Sequence, residues 1–146
     1  MKIRTFILVI AALAASVSCK SQYELLLNSN DVDAKYDGAF AYFNEGKYSK
    51  AASLFESLAV LTNGTERDDT VRYYWGLSNY KFKDYYTAET NFEKFIESYP
   101  RSPFTSDARY LRLDCLYRQR ICVSQAFSSG RRYSGQHPAR QDQAGR

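Results

Sequence analysis

Histidine is nearly missing from this sequence. The single one, His137, has no cysteine or carboxylate cluster around it at ligand spacing, which excludes a metal centre and a histidine-driven acid–base site as the basis of function. A glycine-rich phosphate loop is lacking too, and no nucleophile is paired with a base. Glu93 and Glu97 lie one helical turn apart, but with Lys94 beside them they read as a solvated helix face rather than a catalytic carboxylate pair. No catalytic residue, metal ligand or bound cofactor is therefore expected, and the chain reads as a non-catalytic binding scaffold. Long apolar runs are scarce as well: Phe6 to Ala15 falls short of the about 20 residues that a membrane-spanning helix needs. With 146 residues in all, the chain has room for one domain at most once an export signal is set aside.

Aromatic residues, by contrast, are abundant. Thirteen tyrosines and nine phenylalanines stand against one tryptophan, a balance that favours aromatic-lined helix seams and grooves. The amino terminus reads as an export signal over residues 1–18: Lys2 and Arg4 supply positive charge, Phe6 to Ala15 form the apolar region, and Ser16 and Ser18 precede Cys19. Two processing outcomes share this cut. Ser16 and Ser18 suit an ordinary signal peptidase, whereas Val17, Ser18 and Cys19 resemble a bacterial lipobox, in which the cysteine becomes the lipid-carrying first residue. Ser16 stands where a lipobox usually has leucine. The lipobox reading is favoured because Cys19 lies at the expected cut and Lys20, Ser21 and Gln22 follow as a polar tether. Residues 19–30 are thus expected to form a lipid-anchored tether, with a covalent lipid on Cys19. The other cysteines, Cys115 and Cys122, would lie about 10 Å apart along one continuous helix, too far for a disulfide, so Cys115 is read as a packing residue.

Between Tyr23 and Tyr117 the pattern is helical throughout. Asp31 is placed to cap a helix from Val32 to about Glu45, Gly46 and Lys47 turn the chain, and Tyr48 to about Thr62 returns. Asn63 and Gly64 signal a turn, which is preferred over the glycosylation reading of Asn63, Gly64 and Thr65. A second pair is predicted over Glu66 to Phe82 and Tyr85 to Tyr99, stopped by Pro100. Ser102 and Pro103 then start a further helix from about Phe104 to Tyr117. The charge is uneven: residues 1–118 balance fifteen basic against fifteen acidic side chains, and residues 119–146 hold five arginines against Asp142 alone. Residues 119–146 are read as an irregular basic tail, out of frame or artificially ended, with a true disordered arm as the alternative; no nucleic-acid partner is expected.

The two hairpins repeat one another. Tyr48, Ala51 and Phe55 recur 37 residues later as Tyr85, Ala88 and Phe92, and this self-similarity is the signature of stacked units that cannot bury their apolar faces alone. Ala39, Tyr42, Gly46, Tyr48, Ala51, Phe55 and Leu58, then Trp75, Gly76, Tyr85, Ala88, Phe92, Phe95 and Pro100, resemble the signature of tetratricopeptide repeats. The fold expected is therefore all-α, a right-handed α-solenoid of tetratricopeptide-like helical hairpins over 31–118, with two complete repeats and the start of a third. Leu113 and Tyr117 continue the interval from Gly76 and Tyr80.

A lipoprotein-like signal, the segment Tyr23, Glu24, Leu25, Leu26 and the tyrosine-rich repeats ending in Tyr99 and Pro100 together resemble the amino-terminal part of the BamD family of outer-membrane assembly lipoproteins, in a form similar to those of Bacteroidetes. That resemblance implies a scaffold of the β-barrel assembly machinery, lipid-anchored at the periplasmic face of the outer membrane. Its implied partners are unfolded outer-membrane proteins and other subunits such as BamA, whose docking repeats this chain would lack. The alternative is another periplasmic repeat adaptor serving envelope division or glycan uptake. In tetratricopeptide hairpins the first helix of each pair lines the concave face. Applied here, that spacing points inward Asp33, Tyr36, Phe40, Phe43 and Asn44, then Tyr73, Leu77, Tyr80 and Lys81, and then Asp107, Tyr110, Asp114 and Tyr117. An aromatic groove suits an extended peptide ending in an aromatic residue and a free carboxylate, with Lys81 meeting the terminal charge.

Overall fold

A computed structural model describes residues 22–128. The export signal read over 1–18, the lipidation site Cys19 and the tail from 129 onward, including His137, lie outside the described residues. Six helices follow one another: α1 (22–28), α2 (Val32–Asn44), α3 (Tyr48–Leu61), α4 (Asp68–Lys81), α5 (Tyr85–Ser98) and α6 (Thr105–Ser128), with no strand among the described residues. Each of α2 to α6 packs chiefly on its neighbours in the chain, which is the all-α stacking of tetratricopeptide-like hairpins that the repeat predicts.

Local chemistry sets the boundaries. The Asp31 carboxylate accepts from the Ala34 amide at 3.0 Å and starts α2, and Asp84 does the same for α5 through the Thr87 amide at 3.1 Å. Gly46 closes the first hairpin at φ 75°, and its equivalent in the second hairpin, Lys83, adopts the same left-handed turn at φ 70°. The first core gathers Ala39, Ala51, Leu54, Phe55, Leu58 and Val71, and the second Ala88, Phe92, Phe95, Ala108 and Cys115, all essentially without solvent contact. A side chain at Gly76 would meet the Phe92 ring at 2.9 Å, so glycine is what lets α4 lie against α5 there.

Several boundaries differ from the sequence reading. The segment expected to be tether contains α1, whose residues Tyr23, Leu26 and Leu27 pack on the first core, with Leu26 in direct contact with the space over Gly38. Lys35, almost fully buried, pins α1 by donating from Nζ to the Leu27 carbonyl at 2.9 Å and to Ser57 Oγ at 2.7 Å. Burial lowers its pKa. The last helix does not stop near Arg118. It runs to Ser128, because 119–128 contains neither glycine nor proline and Gln119 Nε2 donates to the Tyr85 carbonyl at 3.0 Å. Ser102 and Pro103 sit in the turn before this helix, where Ser102 Oγ accepts from the Phe104 amide at 3.4 Å and donates to Asp69 at 2.7 Å. Glu66 and Arg67 likewise belong to the turn before α4. Glu93 is not simply solvated: with Glu89 it holds Arg112 across the α5–α6 seam at 2.5 and 2.8 Å.

Cys115 is buried and Cys122 exposed, and both are free thiols. Burial, and next the Asp114 charge, push the Cys115 thiol up to about 12. Iodoacetamide at pH 8 on the folded chain is expected to label Cys122 and spare Cys115, as read by peptide mass; equal labelling of both would contradict the burial of this seam.

Candidate functional site

The face expected to line the groove is that of the first helices of the hairpins, α2, α4 and α6. On α2, Tyr36 and Phe40 lie with ring centroids 4.8 Å apart, and Phe40 reaches across to Phe55 at 5.1 Å and to Tyr74 of α4 at 4.6 Å. Phe43 continues the cluster against Tyr48 and Tyr74 at 5.4 and 5.3 Å. Phe40 and Phe43 are thus interhelical wedges as much as groove lining, while Tyr36 keeps one face toward the Arg67 guanidinium, 5.1 Å from its ring centre. Arg67 in turn pairs with Asp33 at 2.5 Å.

The α4 residues divide. Tyr73, expected in the groove, is buried, stacked on Phe104 at 4.5 Å and donating its hydroxyl to Asp107. Burial and that carboxylate raise its pKa well above the usual phenol range. Leu77 packs on the second core. Tyr80 stays half-buried, donates to Asp114 at 2.6 Å and has its pKa pushed up to about 12, first by that hydrogen bond and then by burial. Asp114 accepts also from Arg118 at 2.5 Å, and these two donors hold its carboxyl below the usual carboxylate range. Arg118 covers the rings of Tyr80 and Tyr85 at 5.7 and 5.4 Å.

On α6, Tyr110 and Tyr117 take the positions that Tyr73 and Tyr80 hold on α4, and they are 67% and 64% exposed. Asn44 and Lys81 are exposed at the far ends of α2 and α4, and Lys81 lines a separate cleft among the hairpin turns. The structure therefore brings together Tyr36, Phe40 and Phe43 with Tyr74, and separately Tyr80 with Asp114. It sets Lys81 apart from the aromatic row.

Sequence reasoning missed the polar stitching of this face. Asp33 with Arg67, Tyr73 with Asp107 and Tyr80 with Asp114 are each separated by 34 residues, three fewer than the 37 of the packing repeat. A side chain on one first helix meets the residue one turn before its own equivalent on the next, so a donor and a carboxylate recurring at that offset were the available signal. Chemically, the face offers aromatic planes and phenols beside arginines already neutralised by aspartates.

Comparison with curated proteins returned no match. A family profile described as YfiO, outer membrane lipoprotein, matches residues 28–143, which takes in the described helices from the end of α1 onward. The helical stacking and this match agree with the BamD-type resemblance of the repeats: the chain belongs to the YfiO family of outer membrane lipoproteins.

Proposed function

We propose that this protein is a non-catalytic scaffold of the outer-membrane β-barrel assembly machinery that receives unfolded outer-membrane proteins on its aromatic inner face. Family membership supports the assembly role. The single observation that carries the binding reading is the open part of that face, where Tyr110 and Tyr117 stand exposed in line with Tyr36 and Tyr80. An unfolded strand bound there would stack its aromatic side chains on these rings, and its backbone would find phenol donors at the edges. The chain would be anchored through a lipid on Cys19 at the periplasmic face of the outer membrane, alongside other assembly subunits such as BamA.

The test is a triple substitution, Tyr36→Ala, Tyr110→Ala and Tyr117→Ala. Binding of a fluorescent peptide from the carboxyl end of an outer-membrane β-barrel protein is expected to weaken at least tenfold, roughly 1 kcal/mol or less for each ring, with far-ultraviolet circular dichroism unchanged. Unchanged affinity in the folded variant would move the binding site elsewhere.

A further inference from the structure

The hairpin turns form an edge with a character of its own. The ends of α2 and α4 meet the starts of α3 and α5 around a cleft of about 330 Å³, lined by Lys47, Lys50, Lys81 and Lys83 together with Tyr48 and Phe82. Phe82 is 55% exposed and Tyr86, the second residue of α5, is 73% exposed. Against the four lysines the turns themselves hold Glu45, paired with Lys47 at 2.7 Å, and Asp84, engaged in capping α5, and α1 adds Glu24, so positive charge is in excess. Lys81 and Lys83 point into solvent, and α3 opens on this cleft without a side-chain cap. At the opposite edge, where α2 and α4 begin, Asp31, Asp33, Glu66 and Asp69 outnumber Arg67 and Arg101, and the buried Asp68 is balanced by Arg72. The stack is electrically polarised from edge to edge.

The path of the chain gives this edge a direction. Tyr23 packs edge-on against Tyr42 at 5.6 Å and lies beneath Lys50 at 5.1 Å, so the amino-terminal segment arrives at the lysine edge. Cys19 is four residues earlier in the chain. The last helix also runs past this edge: beyond Gln119, bonded to the first residue of α5, it exposes Arg120, Ile121, Val123 and Phe127.

We propose that this lysine and aromatic edge is a membrane-contacting surface that takes the phosphate groups of anionic phospholipids, giving the solenoid a second, non-covalent hold on the bilayer. The direction of approach rests on Cys19 being the anchor, as proposed above. Lysines supply long-range attraction to a negatively charged surface, and the exposed Phe82 and Tyr86 sit at headgroup depth, where aromatic rings are favoured. With the covalent anchor holding the chain at the bilayer, such a basic patch sets which edge of the stack faces the surface.

The experiment uses the mature chain from Cys19 onward, made by cell-free synthesis so that the export signal is absent and Cys19 carries no lipid, and measures binding to phosphatidylglycerol and phosphatidylcholine vesicles by flotation. The variant K81Q/K83G removes two charges and replaces the left-handed lysine by the residue its twin turn carries, so folding is not at risk. K94Q/R101Q removes the same charge elsewhere. Preference for phosphatidylglycerol, weakened about tenfold by K81Q/K83G but less than twofold by K94Q/R101Q and abolished in 0.5 M salt, is the expected result. Equal loss in both variants, or no preference for the anionic lipid, overturns it. So does binding of inorganic phosphate or polyglutamate without vesicle preference, which would mark a soluble anion or an acidic polypeptide as the ligand. The acyl state of Cys19 is read separately from the mass of the envelope-purified protein, so failure of the anchor and failure of the edge are told apart.

Discussion

Replacing Phe92 by alanine is expected to lower the stability of the chain by about 3–5 kcal/mol, a large part of the stability of a domain this size. Phe92 is completely buried, its ring lies 6.2 Å from that of Tyr73, and it fills the space opposite Gly76. The cost should fall at the upper end because the site cannot collapse: Gly76 has no side chain to move into the void, and Tyr73 is fixed by its stacking on Phe104 and its bond to Asp107. Thermal unfolding followed by circular dichroism measures it. A fall in midpoint worth less than about 1 kcal/mol would mean that the second hairpin does not close around this ring.

The second large effect is electrostatic. Asp68→Ala is expected to cost about 3 kcal/mol in urea unfolding. Asp68 is fully buried at the start of α4, where it accepts from Arg72 Nε at 2.8 Å, from the Gly64 amide at 3.2 Å and from the Tyr99 hydroxyl. One carboxylate thereby ties the α3–α4 turn to the end of α5. Removing it strands a positive charge and a phenol, which costs more than the pair itself contributes. The estimate sits at the low end for a buried pair because the Arg72 side chain keeps 29% of its surface in water. Tyr99→Phe, which removes one donor and no charge, should cost about 1 kcal/mol. Equal costs for the two variants would show that the hub acts through Tyr99 alone.

Much of this architecture is legible in the chain because close helix packing restricts which residues fit. Ala51 and Ala88, with Phe55 and Phe92 one turn on, repeat at equal spacing and all prove fully buried. Asp31 is a readable cap for the same reason: few side chains reach a helix's first amides, whereas the Asp84 cap on α5 emerges only in the structure. What sequence pattern hides is tertiary. The two-turn helix α1 depends on Leu26 finding the space above Gly38 and on Lys35 reaching Leu27, contacts that no local rule encodes. The length of α6 was obscured by a change in composition that carries no helix breaker before Gly130. Among the candidate site residues, Tyr73 and Tyr110 share one register, yet one is buried and one open, because Phe104 comes from a turn to cover the first. Spacing places a tyrosine on a face; what covers that face decides whether it binds.

The most direct test of the assembly role is photocrosslinking in living cells from a benzoylphenylalanine placed at Tyr110, with adducts identified by mass spectrometry. Adducts with outer-membrane β-barrel proteins on their way to insertion are expected, and they should be lost when the reactive residue is moved to the exposed Glu56 on α3. Adducts with division or glycan-uptake proteins instead would contradict the assembly role.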